Sequence, residues 1–209
     1  MDCTQCMVHL LQKLRKQMNG AMLDTFVLYG KKYGVCYGVS IPELKHIARE
    51  LAPSDELFRF LFRQQVRELK IISLFVAEKE KITADDATFL SQGIINSEMA
   101  ELSAKYLLCS LDCLDEIVRR VMGEDEMLSY ALLMALSYRK RCTLEQCAHS
   151  LERCLEKFPD SRLIAMSSVT LLDEMKKENR ALVESMLCRM TPSKTSSLVR
   201  EEMEWRLNY

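Results

Sequence analysis

The sequence has few of the residues that break helices and punctuate short strands. Its 209 residues include 6 Gly and 4 Pro, and no segment alternates apolar and polar residues as a half-buried strand does. This scarcity favours long helices. No apolar run reaches the roughly 18 residues of a membrane-spanning helix, and the chain begins with the acidic Asp2, where a secretory signal would be basic. We therefore expect a cytoplasmic protein that makes no contact with a membrane.

The chain also lacks a large net charge, a disulfide pattern and the common cofactor motifs. Its net charge of −1 argues against coating nucleic acid by overall charge, so any anion site must be a local patch. Nine cysteines scattered through helical patterns indicate reduced thiols. Cys3, Cys6 and His9 have metal-ligand spacing but lack a second pair of ligands. Since no P-loop, G-x-G-x-x-G, H-E-x-x-H or G-x-S-x-G occurs, we expect no cofactor and no metal.

The helix starts can be recognised from their capping residues. Ser40 and Glu43 form an S-x-x-E capping box, Pro42 occupies the first turn, and Gly38 allows the chain to turn into the helix. Behind this cap an apolar stripe has helical spacing: Leu44, Ile47, Ala48 and Leu51. Similar starts recur along the chain, as at Thr143 with Gln146. The sequence therefore predicts an all-α protein.

The spacing of these helices predicts a repeat architecture. Helices of roughly 12 to 18 residues follow one another through short connectors, and a helix pair takes roughly 30 to 40 residues. This is typical of a HEAT-like or armadillo-like solenoid, although a compact orthogonal bundle is an alternative. No shift in composition marks a boundary, so we predict one helical-repeat domain over residues 1–209.

Four basic residues recur at intervals of four, four and three, so they would form one line on a continuous helix. Such a series of like charges destabilises a helix unless something offsets it. A phosphate backbone could do so, and so could nearby carboxylates such as Glu56 and Glu68, which would make the line a solvated face. The four candidate DNA-binding residues are Arg59, Arg63, Arg67 and Lys70.

A second basic group, Arg139, Lys140 and Arg141, follows a predicted mid-chain helix. Cations at this position stabilise the negative end of the helix dipole, which is a structural explanation for the group. Contact with an anionic ligand is the alternative. We include the three residues among the candidate DNA-binding residues.

Three segments, taken in order, resemble the DNA alkylation repair family, the HEAT-like alkylpurine DNA glycosylases. They are Y-G-V-S-I-P-E-L-K-H-I-A at 37–48, Arg67-Glu68 before an apolar helix, and L-S-Y-R-K-R at 136–141, and the likeness extends over about residues 20 to 190. The resemblance implies a curved stack of helix pairs whose basic concave face holds duplex DNA. It also implies excision of cationic alkylated bases, with a carboxylate and aromatic rings placed against the damaged nucleotide.

The resemblance assigns roles to individual positions. Tyr29 falls where the family has a nucleotide-facing tyrosine, and Glu101 falls where it has its catalytic aspartate. Ser97 replaces a tryptophan one turn before that acid, Ser129 replaces a phosphate-contacting basic residue, and Val169 replaces a second tryptophan. Glutamate is longer than aspartate by one methylene, and a catalytic group misplaced by about 1 Å can lose on the order of 100-fold in rate.

Three functions remain open from the sequence. The first is an alkylpurine DNA glycosylase with Glu101 as the electrostatic group and Tyr29 as a lesion contact. The second is a non-catalytic relative that binds duplex DNA through the two basic groups. The third is a helical-repeat scaffold for a protein partner. The near-neutral charge favours the scaffold over a general DNA-binding protein, whereas the family pattern favours the first two.

Overall fold

The computed structural model describes residues 2–28, 33–139 and 143–208, with side chains except those of 25–28. Within these ranges the chain forms thirteen α-helices and no strand longer than one isolated bridge, which confirms the prediction of an all-α protein. The helices are α1 Cys3–Lys16, α2 Gly20–Leu28, α3 Ile41–Ala48, α4 Asp55–Phe62, α5 Arg67–Val76, α6 Ala87–Gly93, α7 Ser97–Tyr106, α8 Leu114–Val121, α9 Glu126–Tyr138, α10 Leu144–Lys157, α11 Arg162–Glu178, α12 Arg180–Arg189 and α13 Lys194–Asn208. Short 3-10 turns occupy Lys79–Lys81, Ala84–Asp86 and Leu108–Ser110.

Local capping chemistry begins these helices where the sequence indicates. The Ser40 hydroxyl accepts a hydrogen bond from the Glu43 backbone N–H at 3.4 Å, with Pro42 in the first turn of α3. At α10, Thr143 and Gln146 form both halves of a capping box. Each contact satisfies backbone donors that a helix start leaves unpaired.

The helices form two layers. Helices α3, α5, α7, α9, α11 and α13 pack each against the next, and we call this row the front layer. Behind it, α4 packs on α5, α10 packs on α9 and α11, and α12 packs on α11; we call these helices, with α1 and α6, the back layer. Such serial stacking is the geometry of a HEAT-like helical repeat, so the solenoid prediction is confirmed over the orthogonal bundle.

The core lies between the two layers. A continuous cluster of buried apolar side chains extends from Cys6 to Met203. Close approach of α4 and α6 depends on Gly93, since a Cβ atom there would lie 1.8 Å from the Phe62 ring. In the part of the chain that the structure describes, no helix is both long enough and apolar enough to cross a membrane.

Candidate nucleic-acid interface

The four basic residues at 59–70 do not share one helix. Helix α4 ends at Phe62 and α5 begins at Arg67. Between them Val66 is extended and forms an isolated bridge with Val35, with Arg67 donating its backbone N–H to the Val35 carbonyl at 2.9 Å. The prediction of one basic line on a continuous helix is therefore wrong.

Arg59 and Arg63 belong to the back layer. Arg59 donates to Asp55 at 2.8 Å and to Asp86 at 2.5 Å, and these hydrogen bonds raise its pKa. Arg63 is exposed, and its guanidinium carbon lies 5.3 Å from the centroid of the Phe89 ring. Contact of these two arginines with DNA stays a prediction.

Glu68 is buried in the front layer, where it holds the family-like segment in place. Its carboxylate has 0% exposure and accepts from the backbone N–H groups of Tyr37, Gly38 and Val39 at 3.1, 3.0 and 3.3 Å. Gly38 has φ +71°, and a Cβ there would lie 2.3 Å from the Asn19 carbonyl oxygen, so only glycine fits this turn.

Arg67 joins this segment to α7. It is 2% exposed and donates to both carboxylate oxygens of Glu98, at 3.0 and 2.7 Å, and to Glu68 at 3.1 Å. The Tyr33 hydroxyl donates to Glu98 at 2.6 Å. We call Tyr33, Arg67, Glu68 and Glu98 the buried polar network. Its charges are paired inside the protein, so Arg67 does not reach a surface where phosphate could bind.

Lys70 has a similar structural role. It is 1% exposed, and its ammonium donates to the Phe62 carbonyl at 2.6 Å and the Gly93 carbonyl at 3.3 Å. These carbonyls end α4 and α6, where a cation interacts favourably with the helix dipole. Burial lowers the pKa of Lys70 to about 8. We therefore assign Lys70, like Arg67, to the fold.

The second basic group is described only in part. Arg139 follows α9 and donates to Asp115 at 3.1 Å. Lys140 and Arg141 lie outside the residues that the structure describes, as does Tyr29. The roles predicted for these residues stay predictions.

Glu101 lies exposed on α7. Its carboxylate accepts from the Tyr130 hydroxyl of α9 at 3.0 Å, and burial together with the Glu101 charge raises the pKa of Tyr130. Two other positions that align with functional residues of the family, Ser129 and Val169, are buried, with 0% and 1% exposure. Ser129 accepts from the Gly123 backbone N–H at 2.9 Å. Both residues pack in the interior, whereas Glu101 is exposed and Ser97, the first residue of α7, is half-buried.

Beside Glu101 the front layer carries an aromatic–lysine cluster, made of Lys45, Phe75, Lys105, Tyr106 and Tyr138. The Lys45 ammonium lies 4.2 Å from the Tyr106 ring centroid and 5.7 Å from that of Phe75. Lys105 lies 5.6 Å from the Tyr106 centroid. The Phe75 and Tyr106 rings meet edge to face, with their centroids 5.0 Å apart. This packing fixes the aromatic surface that the two ammonium groups contact.

Tyr138 interacts electrostatically with both Glu101 and Tyr106. It is the last residue of α9 and 44% exposed. Burial is the main cause that raises the pKa of Tyr138. Electrostatic interactions with Glu101, Cys109 and Tyr106 raise it further. Four front-layer helices, α3, α5, α7 and α9, thus bring an exposed carboxylate, aromatic rings and two lysines to one surface.

The two cluster lysines are not neutralised internally. Neither Lys45 nor Lys105 forms an ion pair with a carboxylate of the described ranges. Sequence reasoning missed both lysines, although Lys45 lies inside the family-like segment. Their position depends on the packing of three helices, for which the local sequence carries no signal. Among the described residues, no three His, Cys, Asp or Glu side chains are grouped to hold a metal ion.

The layered fold and this surface define a HEAT-like helical repeat protein with an exposed acid and unneutralised cations on its front layer. The family model of the DNA alkylation repair enzymes matches residues 10–205, nearly the whole of the 209-residue chain. The chain belongs to that family, and the resemblance seen in its sequence is confirmed.

A solved structure is similar over nearly the full length. It represents a family of proteins related to the HEAT-like repeat DNA glycosylases and described as having affinity for branched DNA structures. The superposition has a TM-score of 0.71 and covers 99% of this chain and 95% of the other, at 12% sequence identity. At that identity the likeness shows the fold. No curated protein sequence matches the chain.

Proposed function

We propose that this protein binds DNA through the front-layer surface formed by Glu101 and the aromatic–lysine cluster. Membership of a DNA repair family supports a DNA ligand, and the similar structure belongs to proteins with affinity for branched DNA. The observation that carries the proposal is the placement of Lys45 and Lys105 beside Tyr106 without a carboxylate partner among the described residues. Two such cations can meet phosphates of duplex or branched DNA.

The charge distribution is compatible with a local site. The chain has a net charge of −1, so attraction of DNA depends on where cations cluster rather than on their number. Several other basic side chains are already paired, as Arg59 is with Asp86 at 2.5 Å and Lys177 is with Glu174 at 2.6 Å. The cluster lysines thus remain available for phosphate.

The salt dependence of binding tests the proposal. Titration of labelled duplex and branched DNA at several salt concentrations is expected to show affinity falling as salt rises. Lys45→Ala and Lys105→Ala should each reduce the slope of log K against log salt by about 0.9. Lys177→Ala, which removes an exposed lysine paired with Glu174, is the matched control and should leave the slope unchanged.

Two results of these titrations would contradict the proposal in different ways. Binding that is undetectable, or that does not change with salt, would contradict DNA binding and favour the scaffold for a protein partner. Equal effects of Lys105→Ala and Lys177→Ala would instead show that DNA binds elsewhere on the protein. Arg63→Ala then tests the back layer, where Arg63 is exposed.

A second candidate function, alkylpurine excision, is favoured by the position of Glu101. Its exposed carboxylate is part of the surface proposed for DNA and accepts a hydrogen bond from the Tyr130 hydroxyl at 3.0 Å. A carboxylate placed there can stabilise the positive charge that develops on a sugar as the base leaves. Base release from duplex DNA containing 7-methylpurine or 3-methylpurine is the assay, and Glu101→Gln should abolish any release.

Tyr130→Phe provides the companion variant for excision. It keeps the ring and removes the hydrogen bond to Glu101, so release should decrease less than in Glu101→Gln. Release that is unaffected by Glu101→Gln would remove Glu101 from the chemistry.

Two further expectations from the sequence stay predictions: a single domain over residues 1–209 and a cytoplasmic location. The eight cysteines among the described residues are free thiols.

A further inference from the structure

We infer that Tyr138 stacks on an unpaired base, so that the protein prefers DNA with unpaired bases to fully paired duplex. The inference rests on the proposed DNA binding and names the form of DNA that the surface selects. Stacking requires an exposed ring face, and an unpaired base is needed because the faces of paired bases are covered by their neighbours in the duplex.

The exposure of Tyr138 separates it from the other aromatic residues of the surface. Tyr130 is 7% exposed and its hydroxyl is bonded to Glu101. Tyr106 is half-buried, and its ring contacts the Lys45 ammonium and meets the Phe75 ring edge to face. Tyr138 is 44% exposed, which leaves its ring accessible to a ligand. Tyr138 is the last residue of α9.

The charges around Tyr138 favour a base over a phosphate at this point. Glu101 is close enough to Tyr138 to contribute to its raised pKa, and a carboxylate repels phosphate. Lys45 and Lys105, whose ammonium groups lie 4.2 and 5.6 Å from the Tyr106 ring centroid, attract phosphate. A nucleotide can satisfy both demands when its phosphate contacts a lysine and its uncharged base lies over the Tyr138 ring. Stacking on an aromatic side chain is tolerant of base identity.

The test compares three DNAs of equal length with the full chain: a paired duplex, the same duplex with one bulged nucleotide, and a single strand. One stacked base contributes about 1–3 kcal/mol, equivalent to about 5- to 150-fold in affinity. Wild-type protein should therefore prefer the bulged duplex within that range. Tyr138→Ala should lose the preference, measured as the ratio of its affinities for bulged and paired duplex, and Tyr138→Trp should keep that ratio.

A direct readout of stacking completes the test. With 2-aminopurine as the bulged base, its fluorescence should be quenched by wild type and by Tyr138→Trp, but not by Tyr138→Ala. Lys45→Ala serves as the control, because it should weaken binding of paired and bulged duplex equally. Melting curves check that each variant is folded.

The outcomes distinguish this inference from the proposed function. Equal, salt-dependent binding of paired and bulged DNA by wild type would overturn the inference and leave DNA binding intact. A preference that survives in Tyr138→Ala would also overturn it. Absence of binding to all three DNAs would contradict both.

Discussion

The buried polar network and the aromatic–lysine cluster use similar residue types for different ends. Helix α7 contributes to both. Its Glu98 pairs with Arg67, which is 2% exposed, whereas Glu101 and Lys105 on the same helix are exposed. A buried charge must have its partners inside the protein, and Arg67 has them. An exposed cation resting on a ring keeps its charge available. The location of a charged side chain's partner therefore separates the structural residues from those that we propose to bind DNA.

The largest expected effect comes from removing the buried carboxylate. Glu68→Ala leaves three backbone N–H groups without their acceptor and removes one of the two carboxylates that bind Arg67; each buried donor left unsatisfied costs about 1–3 kcal/mol. Glu101→Ala removes an exposed carboxylate from the same layer and one hydrogen bond, that of the Tyr130 hydroxyl, so it should lower the free energy of unfolding by only about 0.5–1.5 kcal/mol. Urea denaturation followed by circular dichroism measures both.

Similar losses of unfolding free energy in Glu68→Ala and Glu101→Ala would contradict the distinction between the buried polar network and the exposed surface. They would show that the exposed surface depends on its carboxylate as much as the interior does. A small loss in Glu68→Ala alone would mean that water enters and replaces the carboxylate beside the segment at 37–39. Glu68→Gln separates these outcomes, since it keeps an acceptor but removes the charge.

The next largest effect is expected in the pH dependence of the free energy of unfolding, to which Lys70 contributes. Burial lowers its pKa to about 8 from the ordinary 10.5, so between these values the unfolded chain binds more protons at this group than the folded chain. Its contribution to the free energy of unfolding therefore rises with pH, by about 1–2 kcal/mol between about pH 7 and pH 9.5. Lys70→Met should remove that rise.

Lys105→Met is the matched control for Lys70→Met, because it removes an exposed lysine from the front layer. Denaturation at the two pH values is compared as a difference from wild type, so that the contributions of cysteines and tyrosines cancel. A Lys70→Met curve parallel to that of wild type would show that the ammonium is solvated and that its two carbonyl contacts are not maintained.

The sequence predicts the helices better than it predicts the site, and particular residues show why. Ser40, Glu43 and Pro42 act within one turn of α3, so their pattern is readable locally. The break between α4 and α5 has no Pro or Gly at 63–66, and it depends on bridging to Val35.

Long-range packing also decides which cations are accessible. Arg67 and Lys70 follow the spacing of a basic line, yet α5 is covered by α3, α4 and α7, which buries both. Lys45 and Tyr106 are far apart in sequence and meet only when their helices stack. Family resemblance located the Glu101 position, whereas no rule of spacing indicated the lysines beside it.

The smallest expected effect concerns the stability contribution of the cluster itself. Lys45 is half-buried over two rings, and loss of its cation–π contacts in Lys45→Met should lower the free energy of unfolding by about 0.5–1 kcal/mol. Lys105→Met should lower it less, because Lys105 is exposed and contacts one ring at 5.6 Å. Both variants should nevertheless weaken DNA binding similarly, since each loses one charge for phosphate. A destabilisation by Lys45→Met as large as that of Glu68→Ala would place Lys45 with the buried residues and contradict its assignment to the binding surface.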